Sequence, residues 1–428
     1  MTLFLISLLV IFIYLGKRNN CKALTDPIYW LAFFWILIFG VYFTSGIEYI
    51  YGLSIYFICF FSGCLIFFLY GYNKGLRQKS NVLTGGSKSH NIKIYIIAGI
   101  IGALLYSYDY IRLNGISEAK GAYEISLIGS ISSLLVPILI VMGLYLNAQS
   151  IKQKGSFNIW GIVLIFGYSI PCIINAGREA ILFAIIGIIT LYGYKKLLDK
   201  RIKRRESNLK FLWLILGFAI VIYMGILIIQ ISQTRFSDNE INVLLKSRDV
   251  TSQAIEEADS WGNFSFLYYN IASYFSHQIP FLDFTLRNYD GPYMFGMYEL
   301  NIVSRRLPDF LELDYQLAFE KLNNLFTTKE ESFSGGWNTV LGSFIIDFSW
   351  IGALFACGIC GYAIGKIKKK FYSTLDPRYA TLIALLCLSS FSTVQLGPFF
   401  QTQIYGAFIW WYIIFRKDKR IYLKQKQL

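Results

Sequence analysis

Residues 338–364 read NTVLGSFIIDFSWIGALFACGICGYAI, a stretch of 27 residues in which Asp347 is the single charged side chain. About 20 consecutive apolar residues are enough for a helix to cross a bilayer, so this stretch predicts a membrane span. The whole chain has the same character, because 55% of its 428 residues are hydrophobic and 15% are charged. This composition excludes an ordinary soluble domain and predicts an all-α polytopic integral membrane protein.

Ten further apolar windows predict spanning helices, which gives about eleven transmembrane helices in all. These windows cover residues 2–16, 27–45, 52–72, 92–111, 125–147, 157–175, 179–194, 211–231, 379–396 and 398–415. The first window lacks a basic leading region and a small-residue cleavage site, so we interpret it as a retained span. We expect a transmembrane bundle of about eight helices at 1–231, one large extracytoplasmic loop with short interfacial helices at 232–337, about three transmembrane helices at 338–415 and a basic cytoplasmic tail at 416–428.

The distribution of charge predicts how these spans are oriented. With the N-terminus outside, 29 of the 40 Lys and Arg residues fall in cytoplasmic connections, and 21 of the 26 acidic residues fall outside. Cytoplasmic connections of membrane proteins are enriched in Lys and Arg, so we expect an outer N-terminus and an inner C-terminus. The basic run at 195–210 is interpreted as a contact with anionic lipid. We therefore expect membrane lipids, and no nucleic acid, among the partners.

The loop at 232–337 is far longer than any other connection, and loops of this length are usually functional. Its middle part, FSFLYYNIASYFSHQIPFLDF at 264–284, is apolar and aromatic but is interrupted by His277 and Pro280. This pattern favours an interfacial or re-entrant helix over another span, since a span here would reverse the charge distribution of the later connections.

Four arginines on the outer side are candidates for binding an anion. Arg178 opens the seventh span, where the free N–H groups of a helix start and a guanidinium would attract negative charge; pairing with Glu179 or a lipid phosphate is the alternative. Arg235 ends the eighth span at a similar depth, where an ordinary interfacial anchor is the alternative. Arg305 and Arg306 are adjacent in the loop and form either a binding patch or a solvated basic surface.

Asp347 and His277 are candidates for proton transfer. Asp347 lies inside its span, about 13 Å along the axis at about 1.5 Å per residue. A carboxylate at this depth is costly, so we expect it to face a polar cavity, pair with an arginine or be protonated. A structural ion pair between helices is the alternative. His277 is either a general base or a buried packing residue.

The sequence gives no indication of a metal site or another cofactor. Cys357 and Cys360 have the CxxC spacing, but they lie in an apolar helix and lack a second pair of ligands. We interpret them as small buried residues. The large loop contains no cysteine, so no structural disulfide is expected.

Three parts of the chain together resemble a known family. They are Gly177 and Arg178 at the start of a helix, the aromatic loop stretch at 268–284 followed by GPYMFGMYEL at 291–300, and SGGWNTVLGSFIIDFSWIGALFACGICG at 334–361. In these residues the chain is similar to the bacterial O-antigen and capsule polysaccharide polymerases, the Wzy-type oligosaccharide repeat unit polymerases. One departure is Ser349, which stands where the family pattern has glycine after Asp347 and Phe348. The resemblance covers about sixty residues in recognisable motif.

The resemblance implies a metal-independent membrane glycosyltransferase of the GT-C type in the bacterial inner membrane, with its active site facing the periplasm. Its donor and acceptor would be undecaprenyl-diphosphate-linked oligosaccharides, and a chain-length regulator and a flippase would be its protein partners. The family pattern implies catalytic roles for Asp347 and His277. It implies contacts with the diphosphate or the sugars for Arg178, Arg235, Arg305, Arg306, Tyr274, Asn338 and Thr339.

Three other functions remain open at the level of sequence. An O-antigen ligase would share the layout and transfer the glycan to the lipid A core. A lipid-linked oligosaccharide flippase would be expected to show internal repeats and charges along a central path. A structural scaffold would not need arginines gathered at one depth of the membrane.

Overall fold

The computed structural model describes most of the helical part of the chain. The residues described are 20–49, 52–78, 92–114, 126–174, 179–202, 250–251, 253, 255–256, 268–269, 272–273, 275–300, 339–394 and 402–416. Within these ranges the chain is helical, with one isolated antiparallel bridge between Tyr49 and Val250. The predicted spans at 2–16 and 211–231 lie outside the described residues.

A short 3-10 helix, Asn20–Thr25, precedes eleven α-helices in the described part of the chain. These are α1 (Pro27–Thr44), α2 (Ile55–Arg77), α3 (Ile92–Asn114), α4 (Leu127–Leu135), α5 (Pro137–Lys154), α6 (Ile159–Ile174), α7 (Glu179–Ile202), α8 (Gln278–Asn288), α9 (Val340–Thr374), α10 (Pro377–Ser392) and α11 (Thr402–Arg416). The predicted windows that fall in these ranges all coincide with helices.

Six helical stretches among the described residues are long and apolar enough to cross a membrane. They are α1, α2, α3, the continuous pair α4 and α5, α7 and α9. Two further apolar stretches, Ile159–Pro171 in α6 and Ile404–Phe415 in α11, are shorter. The prediction of an α-helical membrane protein is therefore confirmed, whereas the total of eleven spans and the GT-C arrangement stay predictions.

Polar residues at the helix starts explain where several helices begin. The side chains of Ser54 and Ser126 accept hydrogen bonds from backbone N–H groups in the first turns of α2 and α4. Asp26 and Asp376 do the same for α1 and α10, and each is followed by a proline at the first helical position. Such caps satisfy N–H groups that have no partner within the helix.

The helix ends form two groups, which we call the loop end and the basic end. At the loop end, which carries the described loop residues, the backbone N–H of Val340 donates to Thr393 O at 3.0 Å, so the start of α9 lies beside the end of α10. At the basic end, which carries Lys366–Lys370, the Tyr194 hydroxyl donates to Leu375 O at 2.8 Å. The loop and these lysines thus lie at opposite ends, as the charge distribution predicts. Which end faces outward stays a prediction.

Helices α2 and α9 pack with their backbones in direct contact. A Cβ added to Gly71 would lie 2.0 Å from Gly358 O, and one added to Gly361 would lie 2.1 Å from Phe68 O. The same crowding occurs at Gly75 and Gly365, where the distance would be 2.3 Å in each case. Small residues at such spacing allow membrane helices to approach closely.

Helix α5 lies at the centre of a group of helices, and its side chains from Pro137 to Ile151 are almost all buried. The helices that contact it are α3, α4, α6, α7, α10 and α11. In contrast, α3, α4 and α6 expose large apolar side chains, among them Leu104, Leu127 and Trp160. Apolar surface of this extent is unfavourable in water and is expected where helices face lipid. The helices therefore form a membrane-embedded bundle.

Candidate functional site at the loop end

The described residues of the loop pack on the connection between α1 and α2. The Tyr268 hydroxyl donates to Ser45 O at 2.8 Å, and the hydroxyls of Tyr49 and Ser276 lie 2.5 Å apart. The bridge between Tyr49 and Val250 joins the same two regions. The loop is therefore fixed to the end of the bundle at several points.

Helix α8 is the longest described helix of the loop, and its 11 residues are too few to span a bilayer. Its buried Asp283 accepts hydrogen bonds from the backbone N–H of Ser54 at 3.0 Å and from the Ser54 hydroxyl at 2.5 Å. Arg287 pairs with the same carboxylate at 3.3 Å. Because Ser54 caps α2, this contact places α8 against the start of a transmembrane helix. The interfacial position of the helix in the bilayer stays a prediction.

His277 directly precedes α8 and is completely buried. Its Nδ1 atom lies 2.9 Å from Ser273 O, one helical turn earlier. The ring thus lies in the interior of the packed loop, which agrees with the interpretation as a packing residue. Its role as a general base stays a prediction.

Helix α9 is broken at Ser349, where the backbone adopts φ 68° and ψ 173°. A positive φ is costly for a residue with a Cβ and is ordinarily occupied by glycine, the residue that the family pattern has here. The Ser349 hydroxyl accepts a hydrogen bond from Gly352 N at 3.4 Å and so caps the second half of the helix. The break also leaves the backbone carbonyls of Ile346 and Asp347 available to residues outside the helix.

Residues 291–300, which we call the strap, bind at this break. The backbone N–H of Met294 donates to Ile346 O at 3.3 Å, and that of Phe295 donates to Asp347 O at 2.9 Å. Two further N–H groups, of Tyr298 and Glu299, donate to the two carboxylate oxygens of Asp347 at 2.8 and 3.0 Å. The strap is thereby attached to α9 through both the backbone and the side chain of Asp347.

The strap contains unusual backbone conformations at the point of attachment. Phe295 has φ 48° and Gly296 has φ 93°. The amides that follow shortly after them, of Tyr298 and Glu299, are consecutive in the chain and both donate to the Asp347 carboxylate. Consecutive amides that converge on one anion form a nest that compensates negative charge without a cation. The left-handed conformation of Phe295 costs about 1–2 kcal/mol, which these hydrogen bonds offset.

Asp347 is completely buried, and within the described part of the chain its carboxylate binds backbone amides and no cation. The carboxylate also affects a neighbouring loop residue, Tyr289. Burial, and after it the negative charge of Asp347, raises the pKa of the Tyr289 phenol far above its usual value. This hydroxyl therefore stays protonated and donates to Pro292 O within the same turn.

Thr339 is buried and begins α9, where its hydroxyl accepts a hydrogen bond from Gly342 N at 3.3 Å. The structure thus gives this residue a capping role, and its contact with a substrate stays a prediction. Six other predicted site residues lie outside the described residues: Arg178, Arg235, Tyr274, Arg305, Arg306 and Asn338. Helix α7 begins directly after Arg178.

Some residues of this region were not singled out from the sequence. Asp283 lies in FLDF at 281–284, much as Asp347 lies in IIDF at 345–348, so an acidic residue within an apolar run is the signal that would have found it. The sequence gives no such signal for the amides of Tyr298 and Glu299, because every residue except proline carries a backbone N–H group.

Comparison of the chain with models of protein families, with curated proteins and with solved structures gives no match. The resemblance to the polysaccharide polymerases therefore rests on the motif residues quoted above.

Proposed function

We propose that this protein is a membrane glycosyltransferase that polymerises undecaprenyl-diphosphate-linked oligosaccharide repeat units at its loop end. The observation that carries the proposal is the contact between two motif regions that are far apart in sequence. The strap, GPYMFGMYEL, binds the break in α9 within SFIIDFS, and α8 from the aromatic stretch lies against α2 beside them. Residues that a family pattern singles out are expected to converge when they form one site.

In the proposed reaction, a hydroxyl of the acceptor sugar attacks the anomeric carbon of the growing glycan. The bond between that carbon and the lipid diphosphate breaks, and the diphosphate leaves with the bonding electrons. The proton of the hydroxyl passes to a base, for which His277 and Asp347 are the predicted candidates. Guanidinium groups of Arg178 and Arg235 would stabilise the charge on the leaving diphosphate.

Two other helix starts at the loop end are less suited to bind the diphosphate. The start of α2 is occupied by the Asp283 carboxylate, and the start of α4 by that of Asp109, which accepts hydrogen bonds from Ser126 at 2.6 and 3.1 Å. A second anion at either position would be repelled. This supports Arg178, at the start of α7, as the position for the diphosphate.

The test is a gene deletion complemented with variants, followed by gel analysis of the surface glycan. A polymerase predicts that the deletion strain carries single repeat units and that the wild-type gene restores the ladder. Arg178→Lys and Arg235→Lys should fail to restore it, because lysine lacks the planar bidentate fork. Arg112→Lys is the matched control at the same end of the bundle and should restore the ladder. A ladder from both Arg178 and Arg235 variants would refute their role.

A flippase is the second candidate, and a specific observation favours it. Broken helices with charged residues inside the bundle are common in transporters, and α9 combines its break with the buried Lys368. A flippase deletion would leave no surface glycan, in place of single repeats, and so would an O-antigen ligase deletion. Transport of lipid-linked units into the outer leaflet of proteoliposomes would identify the flippase.

A further inference from the structure

The strap has a buried side and an exposed side. Met294, Tyr298 and Glu299 are buried against the bundle, whereas Tyr293 is 39% exposed and Phe295 is 76% exposed. The neighbouring Asp290 is exposed as well. A large apolar ring with this exposure, held in a costly backbone conformation, is typical of a position kept for contact with another molecule.

We propose that Asp347 is a positioning residue that fixes the strap in the break of α9, and that the strap thereby presents Tyr293 and Phe295 to a sugar ring of the substrate. The second half of this inference rests on the proposed function, because it assumes that the substrate is a glycan. The first half concerns the protein alone.

The positioning role follows from how the carboxylate is used. The carboxylate accepts hydrogen bonds from the amides of Tyr298 and Glu299, one at each of its two oxygens. A proton taken from a substrate would remove the negative charge that strengthens these hydrogen bonds, so proton transfer and attachment of the strap oppose each other. Its negative charge is instead used to hold the backbone of the strap in one conformation.

The choice of a sugar follows from the chemistry of the exposed side. The face of an aromatic ring carries partial negative charge and attracts the polarised C–H groups of a sugar ring. Asp290, three residues before Tyr293 in the chain, is exposed, and its carboxylate can accept hydrogen bonds from sugar hydroxyls. A hydrocarbon chain would use the apolar surface of Phe295 but would gain nothing from an aromatic face or a carboxylate.

The positioning role is tested by hydrogen exchange of the full-length protein in detergent. In Asp347→Asn an NH2 group replaces one of the two acceptor oxygens and cannot accept a hydrogen bond from the strap. Hydrogen exchange of the backbone amides at 294–299 should therefore rise at least tenfold. Asp283→Asn is the matched control, since it alters another buried carboxylate of the same end. It should raise exchange in α8 and leave 294–299 as in the wild type. Unchanged exchange at 294–299 in Asp347→Asn overturns the positioning role.

A second variant covers the case in which Asp347→Asn does not fold. Gly296→Ala leaves the carboxylate intact, and its Cβ would lie 3.6 Å from the Phe348 ring, which is an ordinary contact. The substitution therefore strains only the positive φ of the strap. It should raise exchange at 294–299 as well, and protection equal to the wild type would overturn the proposal.

Kinetics separate positioning from proton transfer. Loosening the strap should raise KM for the acceptor about tenfold in both Asp347→Asn and Gly296→Ala, with a smaller change in kcat. Loss of a general base would lower kcat at unchanged KM, and only in Asp347→Asn. That second pattern would overturn the assignment of Asp347 as a positioning residue.

The contact with sugar is tested with Phe295→Tyr and Phe295→Leu. Tyrosine keeps the aromatic face and leucine keeps only the apolar character. Binding of the free oligosaccharide repeat unit, released from its lipid and followed by saturation-transfer NMR, should persist in the Tyr variant and weaken at least tenfold in the Leu variant. If the Leu variant binds the oligosaccharide as well as the wild type, the proposed contact between Phe295 and sugar is wrong. It is also wrong if the Tyr and Leu variants lose binding to the same extent. A wild-type protein that binds the oligosaccharide but makes no polymer would refute the proposed function alone.

Discussion

The two ends of the bundle neutralise buried aspartates in different ways. At the basic end, Asp26 pairs directly with Lys368, whose ammonium group lies 5.1 Å from the centre of the Tyr72 ring and 5.8 Å from that of Tyr372. At the loop end, Asp347 is held by backbone amides, and Asp283 by a serine and a partly exposed arginine. The first arrangement joins two helices through side chains. The second needs the backbone of the loop to be in place.

The two arrangements differ in whether the partners of the buried aspartate belong to the bundle or to the loop. The ion pair of Asp26 and Lys368 can form whenever α1 and α9 are packed, because both groups belong to the transmembrane bundle. The partners of Asp347 belong to the strap, so displacement of the strap would leave a buried carboxylate without its amides. The loop end is therefore the part of the molecule whose stability depends on the position of the strap.

The largest effect is expected at the basic end. Lys368→Met should lower the free energy of unfolding by about 3–5 kcal/mol, because Asp26 loses its cation while it stays buried. Chemical denaturation in detergent micelles measures the loss. The double variant Asp26→Asn/Lys368→Met should recover most of it, since asparagine can still cap α1. If Lys368→Met is as stable as the wild type, the proposed contrast between the two ends is wrong.

A smaller loss is expected when a loop-end carboxylate is altered. Asp283→Asn should lower the free energy of unfolding by about 2 kcal/mol, the range of a hydrogen bond to a charged group. It should also speed tryptic cleavage after Arg287, because α8 is released from Ser54. Asp109→Asn is the control, since Asp109 likewise binds a capping serine but contacts no described loop residue. Equal cleavage rates in the two variants would argue against a loop held by Asp283.

The next effect depends on pH. Burial acts to raise the pKa of Asp376, but the hydrogen bonds and charge of Arg378 outweigh it and hold the pKa below its usual range. A lowered folded-state pKa gives stability that is present at neutral pH and is lost as the pH falls through that pKa. Asp376→Asn should therefore flatten the acid side of the stability curve, while at pH 7 it costs about 1 kcal/mol or less. If the stability of the wild type and that of Asp376→Asn fall in parallel from pH 7 to pH 3, the lowered pKa of Asp376 does not contribute to stability.

The smallest effect is expected at the arginines of the loop end. The side chain of Arg112 is 49% exposed and pairs with Asp109 at 3.0 Å. Because exposed ion pairs contribute little and Ser126 already binds the carboxylate, Arg112→Gln should change the free energy of unfolding by about 0.5 kcal/mol. The same denaturation assay measures it. If Arg112→Gln lowers the free energy of unfolding as much as Lys368→Met does, the two ends do not differ in the way proposed.

The positions of the helices were largely predictable from hydrophobic windows. The window at 27–45 became α1, Pro27–Thr44, with one residue of difference. The window at 338–364 underestimated α9, which continues to Thr374. Its last turns contain Lys366–Lys370, and lysine favours helix without being apolar. The window at 125–147 did not reveal that α4 ends at Leu135 and α5 begins at Pro137.

The candidate site was predictable in part. Asp347 stands out as a charge in an apolar run, and its position inside a helix was expected on that ground. Its partners were not, since the expected arginine is a side chain and the observed partners are backbone amides of the strap. The break at Ser349 was also missed. No proline or glycine occupies that position, and a serine there does not by itself predict a break in a helix.

The glycine contact between α2 and α9 also limits how a lipid can reach the protein. Their backbones are so close that even a methyl group would collide with a carbonyl oxygen at four positions. A hydrocarbon chain is wider than a methyl group, so the part of the seam between Gly71 and Gly75 of α2 and Gly358 to Gly365 of α9, in the half nearer the basic end, is closed to lateral entry from the bilayer. Under the proposed function, a lipid-linked substrate would therefore have to pass along another side of the bundle at this depth.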